Sequence, residues 1–493
     1  MAAPESHTAL SRVITPCAGI LLVLLAAAGF LHLGADFPNH SRWIDDAAKF
    51  TDEGWYASGA LNHHLTGHWL RPGDFNPMVT IPVWSILLAA VFHFTGISLP
   101  LARGIAFLFT LGAVAVAGRL ISRDHPRLAP ILMLLLLSSP ILYAFSRIAI
   151  LEPPLLFFLS AAALAAFSRS RPSNLRLILC GILFVLAMLT KSSAVFAAPA
   201  ILYLLWFQHR TDRRELLRVL AVPLATVATI YGAYWLLAVR THPADVRVLY
   251  GQNAPYLGLK SIEKAVRIVY RSFTWVDQVL FPLAVAAVLL SLMRRFRTLW
   301  RDPLFGFSVV AYAGYSGFLL VHFDAGPRYF AILVLPVTLI VLLFLDNLRK
   351  NVPRAAVAVT ALVAIALTLN VVSIVRTILH PTYTLRDADL AVRNQIDRDL
   401  VADPSATPLV LGHGAMESTF ITQIPALDDL GEATVAEKLA TARPGWLVTY
   451  SDNLELTTRP GVAGRFTFTE EGRYFVLDSP SRQYLLLYRI QPK

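Results

Sequence analysis

Cysteine is nearly absent: two occur in 493 residues, Cys17 and Cys180, each inside an apolar run. Neither has CxxC or zinc-ligand spacing, which argues against a disulfide framework and a cysteine metal site. Charge is scarce too. Only 15% of residues are charged while 56% are hydrophobic, and the mean hydropathy is +0.57. That balance excludes an ordinary soluble protein, and apolar runs long enough to cross a bilayer recur along most of the chain. No repeat or low-complexity segment stands out. The composition is that of a polytopic membrane protein.

What charge there is leans positive, with 43 Lys and Arg against 32 Asp and Glu, a net +11. Spread evenly, such an excess would suggest a nucleic-acid partner. Here it sits in short clusters between apolar runs, where orientation signals belong, so nucleic acid is not expected. The clusters are Arg119, Arg123 and Arg127; Arg169, Arg171 and Arg176; Arg210, Arg213, Arg214 and Arg218; Arg294, Arg295, Arg297 and Arg301; and Arg349, Lys350 and Arg354. They fall at every second loop.

The first apolar run, residues 13–33, is longer than a signal-peptide core and has only Arg12 before it, so it reads as an uncleaved helix. Further spans are expected at residues 99–121, 128–145, 153–167, 175–190, 192–207, 216–239, 276–293, 303–321, 329–345 and 355–374. Residues 80–96 are apolar but short and carry Pro82, Trp84 and His93. If this segment lies on the outer surface, all five basic clusters are cytoplasmic; if it crosses, all five are outside. The positive-inside rule selects the first arrangement. The expectation is therefore an all-α membrane domain over residues 1–376, with about 11 spans and a cytoplasmic N-terminus. Interfacial helices are expected in a first outer loop, residues 34–98.

From residue 377 the pattern changes. A helix at 387–400 and strands at 408–412, 446–450, 465–469, 474–477 and 483–490 suggest a small α/β or α+β soluble domain over residues 377–493, outside the membrane. No catalytic motif is visible in it, and His413, between two glycines, reads as a turn residue.

This topology gathers the chemically interesting side chains at one face. The outward loops hold Asp52 and Glu53, then Arg147 and Glu152, then Lys191, then His322, Asp324 and Arg328. Acids and bases converging at a surface suit an enzyme better than a conduit, whose ionisable groups belong near mid-bilayer. Each residue also has a plainer role open to it. Asp52 and Glu53 suit the positive end of a helix dipole. Glu152 precedes Pro153, which places it at a chain break opening a helix, and Arg147 is within reach to pair with it. Lys191 can snorkel to the interface. Arg328, permanently charged and able to donate two bonds at once, is the best phosphate candidate of its segment. Lys260, Lys264, Arg267 and Arg271 recur at helical spacing, which leaves open a helix resting on headgroups or a site for an anionic lipid. His63, His64 and His68 lie near the first acids, and a divalent metal there stays open beside a packing role.

Taken in order, several short motifs resemble a known superfamily. They are the Asp-Glu pair at 52 and 53, Arg103 opening the next helix, S-R-x-x-x-L-acid from Ser146 to Glu152, Thr190 with Lys191, and Arg328 with Tyr329. Together they resemble the GT-C membrane glycosyltransferases, and within them the protein O-mannosyltransferase and lipid A aminoarabinose transferase branch. Two departures stand out: Glu152 replaces the mannosyltransferases' aspartate, and Phe75, Asn76, Pro77 and Met78 stand near where the aminoarabinose enzymes have Glu-Lys-Pro-Pro.

The resemblance implies a hexosyl- or pentosyltransferase of the cytoplasmic (inner) membrane. It would move a sugar, with inversion, from a polyprenyl-phosphate carrier to a lipid, glycan or protein acceptor on the outer side. Asp52 would be the general base, with Glu53 and Glu152 supporting it. Arg103, Arg147, Lys191, Lys264, Arg328 and Tyr56 would bind the lipid phosphate and sugar. No cofactor other than the lipid-linked donor is implied with certainty. The alternative reading is a transporter or flippase of lipid-linked saccharides, which predicts two related halves and broken spans that this sequence lacks.

Overall fold

The computed structural model describes residues 6–37, 46, 51–168, 170–253, 262–322, 326–451, 453–477 and 482–493. Lys260, Asp324 and Arg169, named above, lie outside the described residues. Helix α1 spans Ser6–Ala28 and α2 spans Asp52–Thr66. Then come α3 (Pro82–Thr95), α4 (Leu99–Ser122), α5 (Ala129–Leu137), α6 (Pro140–Phe145), α7 (Glu152–Ala166) and α8 (Asn174–Thr190). They are followed by α9 (Ala198–His209), α10 (Arg213–Leu237), α11 (Pro243–Asn253), α12 (Ile262–Arg271), α13 (Leu280–Ser291) and α14 (Pro303–Val321). The short α15 (Pro327–Phe330) leads to α16 (Val334–Asn351) and α17 (Pro353–Leu379).

Proline sets many of these starts. It lies in the first turn of α3 to α7, α9, α14, α15 and α17, where its missing N–H is one the helix could not satisfy anyway. Proline's steric restriction of the residue before it corrects one expected span. Residues 128–145 are not one helix but α5 and α6, because Pro140 forces Ser139 into an extended conformation (φ −64°, ψ 119°). Residues 192–207 are also divided, into a 3₁₀ turn (Ser192–Ala197) and α9.

Among the described residues, five helical stretches are long and apolar enough to cross a membrane: Leu99–Ser122, Arg213–Thr241, Pro303–Val321, Pro327–Asn351 and Pro353–Ala402. Five apolar helices are shorter, Pro82–Thr95 among them. Trp84, Leu88 and Phe92 of α3 are fully buried and pack with Ala57, Ala60 and Leu61 of α2. Helix α12 leaves Ile262, Val266, Val269 and Tyr270 exposed beside Arg267, as a helix lying on an apolar surface would.

The tail forms a five-stranded mixed sheet in the order β2-β1-β3-β5-β4. After α18 (Thr384–Ala402) come β1 (Val410–Leu411), α19 (Ala415–Thr422), β2 (Ala426–Leu427), α20 (Val435–Ala442), β3 (Trp446–Tyr450), β4 (Phe466–Phe475) and β5 (Tyr484–Pro492). Strand β1 pairs in parallel with β2 and β3, while β5 runs antiparallel to β3 and β4. The two strands expected at 465–469 and 474–477 are one, continuous through an irregularity at Glu470/Gly472. Strand β2 was not expected, being two residues long. Helix α18 buries Val392 and Ile396 against Trp446, Val448 and Leu487.

Candidate active site

Asp52 and Glu53 open α2 as its first-turn acids, with Thr51 before them making no side-chain cap bond. The helix-start reading is thus geometrically correct, yet both side chains are buried and face different partners. Asp52 turns toward Arg328, whose Nε stands 3.2 Å from Asp52 Oδ2. Arg328 also donates from Nη1 to Asp46 Oδ1 at 2.6 Å and from its backbone N–H to Asp46 Oδ2 at 2.9 Å. A second buried pair completes the group: Lys191 Nζ donates to Glu152 Oε1 at 2.5 Å. That ammonium lies 4.4 Å from the Tyr329 ring centre and 5.9 Å from that of Tyr56.

Chain breaks deliver these side chains. Lys191 is extended (φ −155°, ψ 126°) between α8 and the following 3₁₀ turn. Glu152 is the first residue of α7, with proline behind it, and Arg328 belongs to the one-turn α15. Helix ends leave backbone N–H and C=O groups without intrahelical partners, which makes them polar points among apolar walls. The Oδ2 of Asp52 and the Oε2 of Glu152 are buried and make no hydrogen bond. Burial raises the Asp52 carboxyl above its ordinary value; Arg328 and then Lys191 pull the other way.

A cavity of about 340 Å³ opens beside the group. Lys191, Tyr56 and Tyr329 line its polar end, and Met188, Phe196, Trp235 and Phe318 are among its apolar walls. Asp52 does not line the cavity; it is one helical turn from Tyr56, which does. His322, also on the wall, accepts from Lys264 Nζ through its carbonyl at 2.5 Å, which brings Lys264 to the rim.

The remaining expected site residues are placed elsewhere. Glu53 is held by Arg103, with Nε to Oε1 at 2.8 Å and Nη2 to Oε2 at 2.5 Å, and accepts the Ala149 N–H at 2.6 Å. Arg103 also donates to the carbonyls of Leu33 and Ala35. This pair ties α2 to α4 and to the α1 exit, and neither member lines the cavity. Arg147 donates to the carbonyls of Gly29 and Leu31 and to the Tyr143 hydroxyl, again away from the cavity.

Three acids of this region carried no sequence signal. Asp46 shares Arg328 with Asp52. Glu417, on α19 of the tail, accepts the Gly54 N–H at 2.7 Å, and Asp428 accepts the Trp55 indole N–H at 2.6 Å. Burial and then the charge of Glu53 push the Glu417 carboxyl well above the usual range.

The expected histidines do not form a metal cluster among the described residues: His63 stacks on Trp69, 4.2 Å between ring centres. The group of metal-ligand type found there is His413, Asp428 and Asp429. Its atoms already serve one another and their neighbours: His413 Nδ1 bonds Asp429 Oδ1 at 2.9 Å, and Asp428 takes the Leu430 N–H and the Trp55 indole. His413 does sit in a turn, between Gly412 (φ 152°) and Gly414 (φ 75°).

Comparison with known proteins agrees with this architecture. Residues 82–238 match the family model of dolichyl-phosphate-mannose-protein mannosyltransferase. The structure of ArnT from Cupriavidus metallidurans bound to undecaprenyl phosphate aligns over 95% of this chain and 97% of its own, with a TM-score of 0.62 at 15% identity. Its apo state aligns over 96% and 98%, at 0.64 and 14%. The arabinofuranosyltransferase AftD from Mycobacteria aligns over 97% of this chain and 40% of its own, at 0.54 and 14%. No curated protein matches the chain by sequence. The fold is that of the ArnT structures, as the motif order implied.

Proposed function

We propose, from this fold and site, that the protein is an inverting membrane glycosyltransferase. It takes a sugar from a polyprenyl-phosphate donor and passes it to an acceptor hydroxyl outside the cytoplasmic membrane. The observation that carries the reading is the buried group of Asp52, Glu152, Lys191 and Arg328, of which Lys191 opens on the polar end of an apolar cavity of about 340 Å³. A prenyl chain suits apolar walls, and its phosphate suits an ammonium flanked by tyrosines. The mannosyltransferase match over residues 82–238 and the undecaprenyl phosphate in the ArnT structure support the donor class.

The roles follow from the chemistry. An acceptor hydroxyl is a poor nucleophile, so its proton must leave as the new bond forms. Asp52 is the base, and burial that raises its pKa brings it closer to working pH, where a general base is most effective. The leaving lipid phosphate gains negative charge as the glycosidic bond breaks. Lys191 stabilises that charge, with Arg328 behind it and Lys264 at the rim. Glu152 orients Lys191, and Glu53 with Arg103 holds the first turn of α2 in place. Attack opposite the departing phosphate inverts the anomeric centre. The soluble tail, residues 377–493, and the active site face outward, and the basic loops face the cytoplasm.

The test is transfer from labelled polyprenyl-phosphate sugars by purified wild type and Asp52→Asn. Wild type is expected to transfer at least one sugar, and the variant to lose about 10²- to 10⁴-fold in rate. Equal transfer by both would remove Asp52 as the base; no transfer from any donor would remove the reaction class.

A further inference from the structure

The tail does not merely sit near α2; it grips consecutive residues of the helix's first turn. Glu417 lies beside Glu53 and accepts the Gly54 N–H at 2.7 Å, while Asp428 accepts the Trp55 indole at 2.6 Å. The backbones approach so closely that a Cβ at Gly54 would lie 2.3 Å from Glu417 N and 2.4 Å from Met416 C. No side chain fits there. The contact is also dry: Glu53, Gly54 and Glu417 are buried, and Phe420 of α19 meets Phe92 of α3 edge to face. A second clamp lies beside it, where Lys438 of α20 donates to Asp74 Oδ1 at 2.8 Å and the Asp428 N–H donates to the same oxygen.

We propose that the C-terminal sheet domain is a positioning element of the active site, with Glu417 holding the first turn of α2 and thereby Asp52. The inference rests on the glycosyltransferase reading for its kinetic test. Asp52 immediately precedes the two residues that Glu417 contacts, so a shift of this turn carries the Asp52 carboxylate with it. A glycine at 54 and a carboxyl at 417 are complementary parts: one opens the space, the other fills the amide's hydrogen-bond need. An unpaired buried N–H would otherwise be left at the helix start. Misplacement of a reacting group by about 1 Å costs on the order of 100-fold in rate.

The experiment compares full-length wild type, Glu417→Ala and Glu417→Gln, in nanodiscs, by transfer kinetics and by hydrogen exchange over residues 51–60. Glutamine keeps an acceptor for the Gly54 N–H and, like the protonated carboxyl, a donor toward Glu53, so it is expected to retain most activity. Glu417→Ala is expected to lower kcat about 10- to 100-fold, to leave the donor KM within about twofold, and to speed exchange in the first turn of α2. Wild-type kcat and exchange in Glu417→Ala would overturn the proposal, and so would equal losses in the Ala and Gln variants. If Glu417→Ala does not fold, Trp55→Phe, which removes only the bond to Asp428, is expected to give the same pattern at smaller amplitude; unchanged exchange there would overturn it. The exchange readout does not depend on turnover. A wild type inactive on every lipid-phosphate sugar would therefore sink the proposed reaction while leaving the positioning role to be decided separately.

Discussion

Arg328 leaves Asp52 only partly engaged: its Nε stands 3.2 Å from Asp52 Oδ2 without hydrogen-bond geometry, because the same guanidinium donates to Asp46 at 2.6 Å. Asp46 anchors the cation, and Asp52 keeps an oxygen with unused lone pairs. The general-base role proposed for Asp52 needs that freedom.

Removing the anchor should therefore act on Asp52. Asp46→Asn frees Arg328 to bind Asp52 fully, and transfer is expected to fall about 10-fold with little change in thermal unfolding. An unchanged rate would mean that Asp46 has no hold on Asp52.

Arg328 itself has a structural side. Arg328→Ala leaves Asp46 and Asp52 buried without their cation, a change that costs about 3–5 kcal/mol, so the unfolding temperature should drop clearly. Arg328→Lys restores the charge but not the fork that reaches both acids, and should recover stability more than activity. A lysine variant with wild-type turnover would contradict the two-acid geometry.

Lys191 and Glu152 should separate in kinetics. Lys191→Met removes the ammonium at the cavity's polar end and is expected to raise the donor KM and lower kcat. Glu152→Gln keeps the ammonium but frees it from its 2.5 Å partner, so it should disturb kcat more than KM. Identical profiles for the two variants would argue against separate roles.

The cavity can be blocked. Val195 lies on its wall and is partly exposed, so Val195→Trp should fold normally. The added ring narrows a space of about 340 Å³, and the donor KM should rise several-fold. Unaltered KM would place the prenyl chain elsewhere.

Stability of the tail contact should fall as pH rises. Burial and the neighbouring charges of Asp429 and Asp74 push Asp428 up to about 8, from an ordinary 3.8. Between those values the folded state keeps a proton that the unfolded state has lost, so the stability this group contributes declines with rising pH until about 8. His413, raised by its bond to Asp429 despite burial, acts in the same direction above its ordinary 6.5. Thermal unfolding followed from pH 5 to pH 9 should show the decline, and Asp428→Asn should make it shallower. A rising or flat wild-type curve would refute this account.

Local signals were reliable where the physics is local. Apolar runs and proline placed α4, α14 and α17 closely, and Glu152 lies where its proline put it. Reading residues 128–145 as one span underweighted Pro140, whose effect on Ser139 outweighs the apolar run. Strand β1 falls inside the expected 408–412, whereas the two-residue β2 is defined by pairing across α19, which no local pattern reports.

By itself, the sequence determined a polytopic membrane chain with a C-terminal domain of different pattern and a set of acids and cations ordered along it. Hydropathy and helix-end chemistry depend on neighbours within a few residues, so they can be read in one dimension. Only the tertiary structure decided which acid meets which cation: Asp52 with Arg328, Glu53 with Arg103, and Glu152 with Lys191. It also brought Glu417 to α2 from 363 residues away. Adjacent residues on a helix point about 100° apart, so Asp52 and Glu53, neighbours in sequence, were committed to different partners by packing alone.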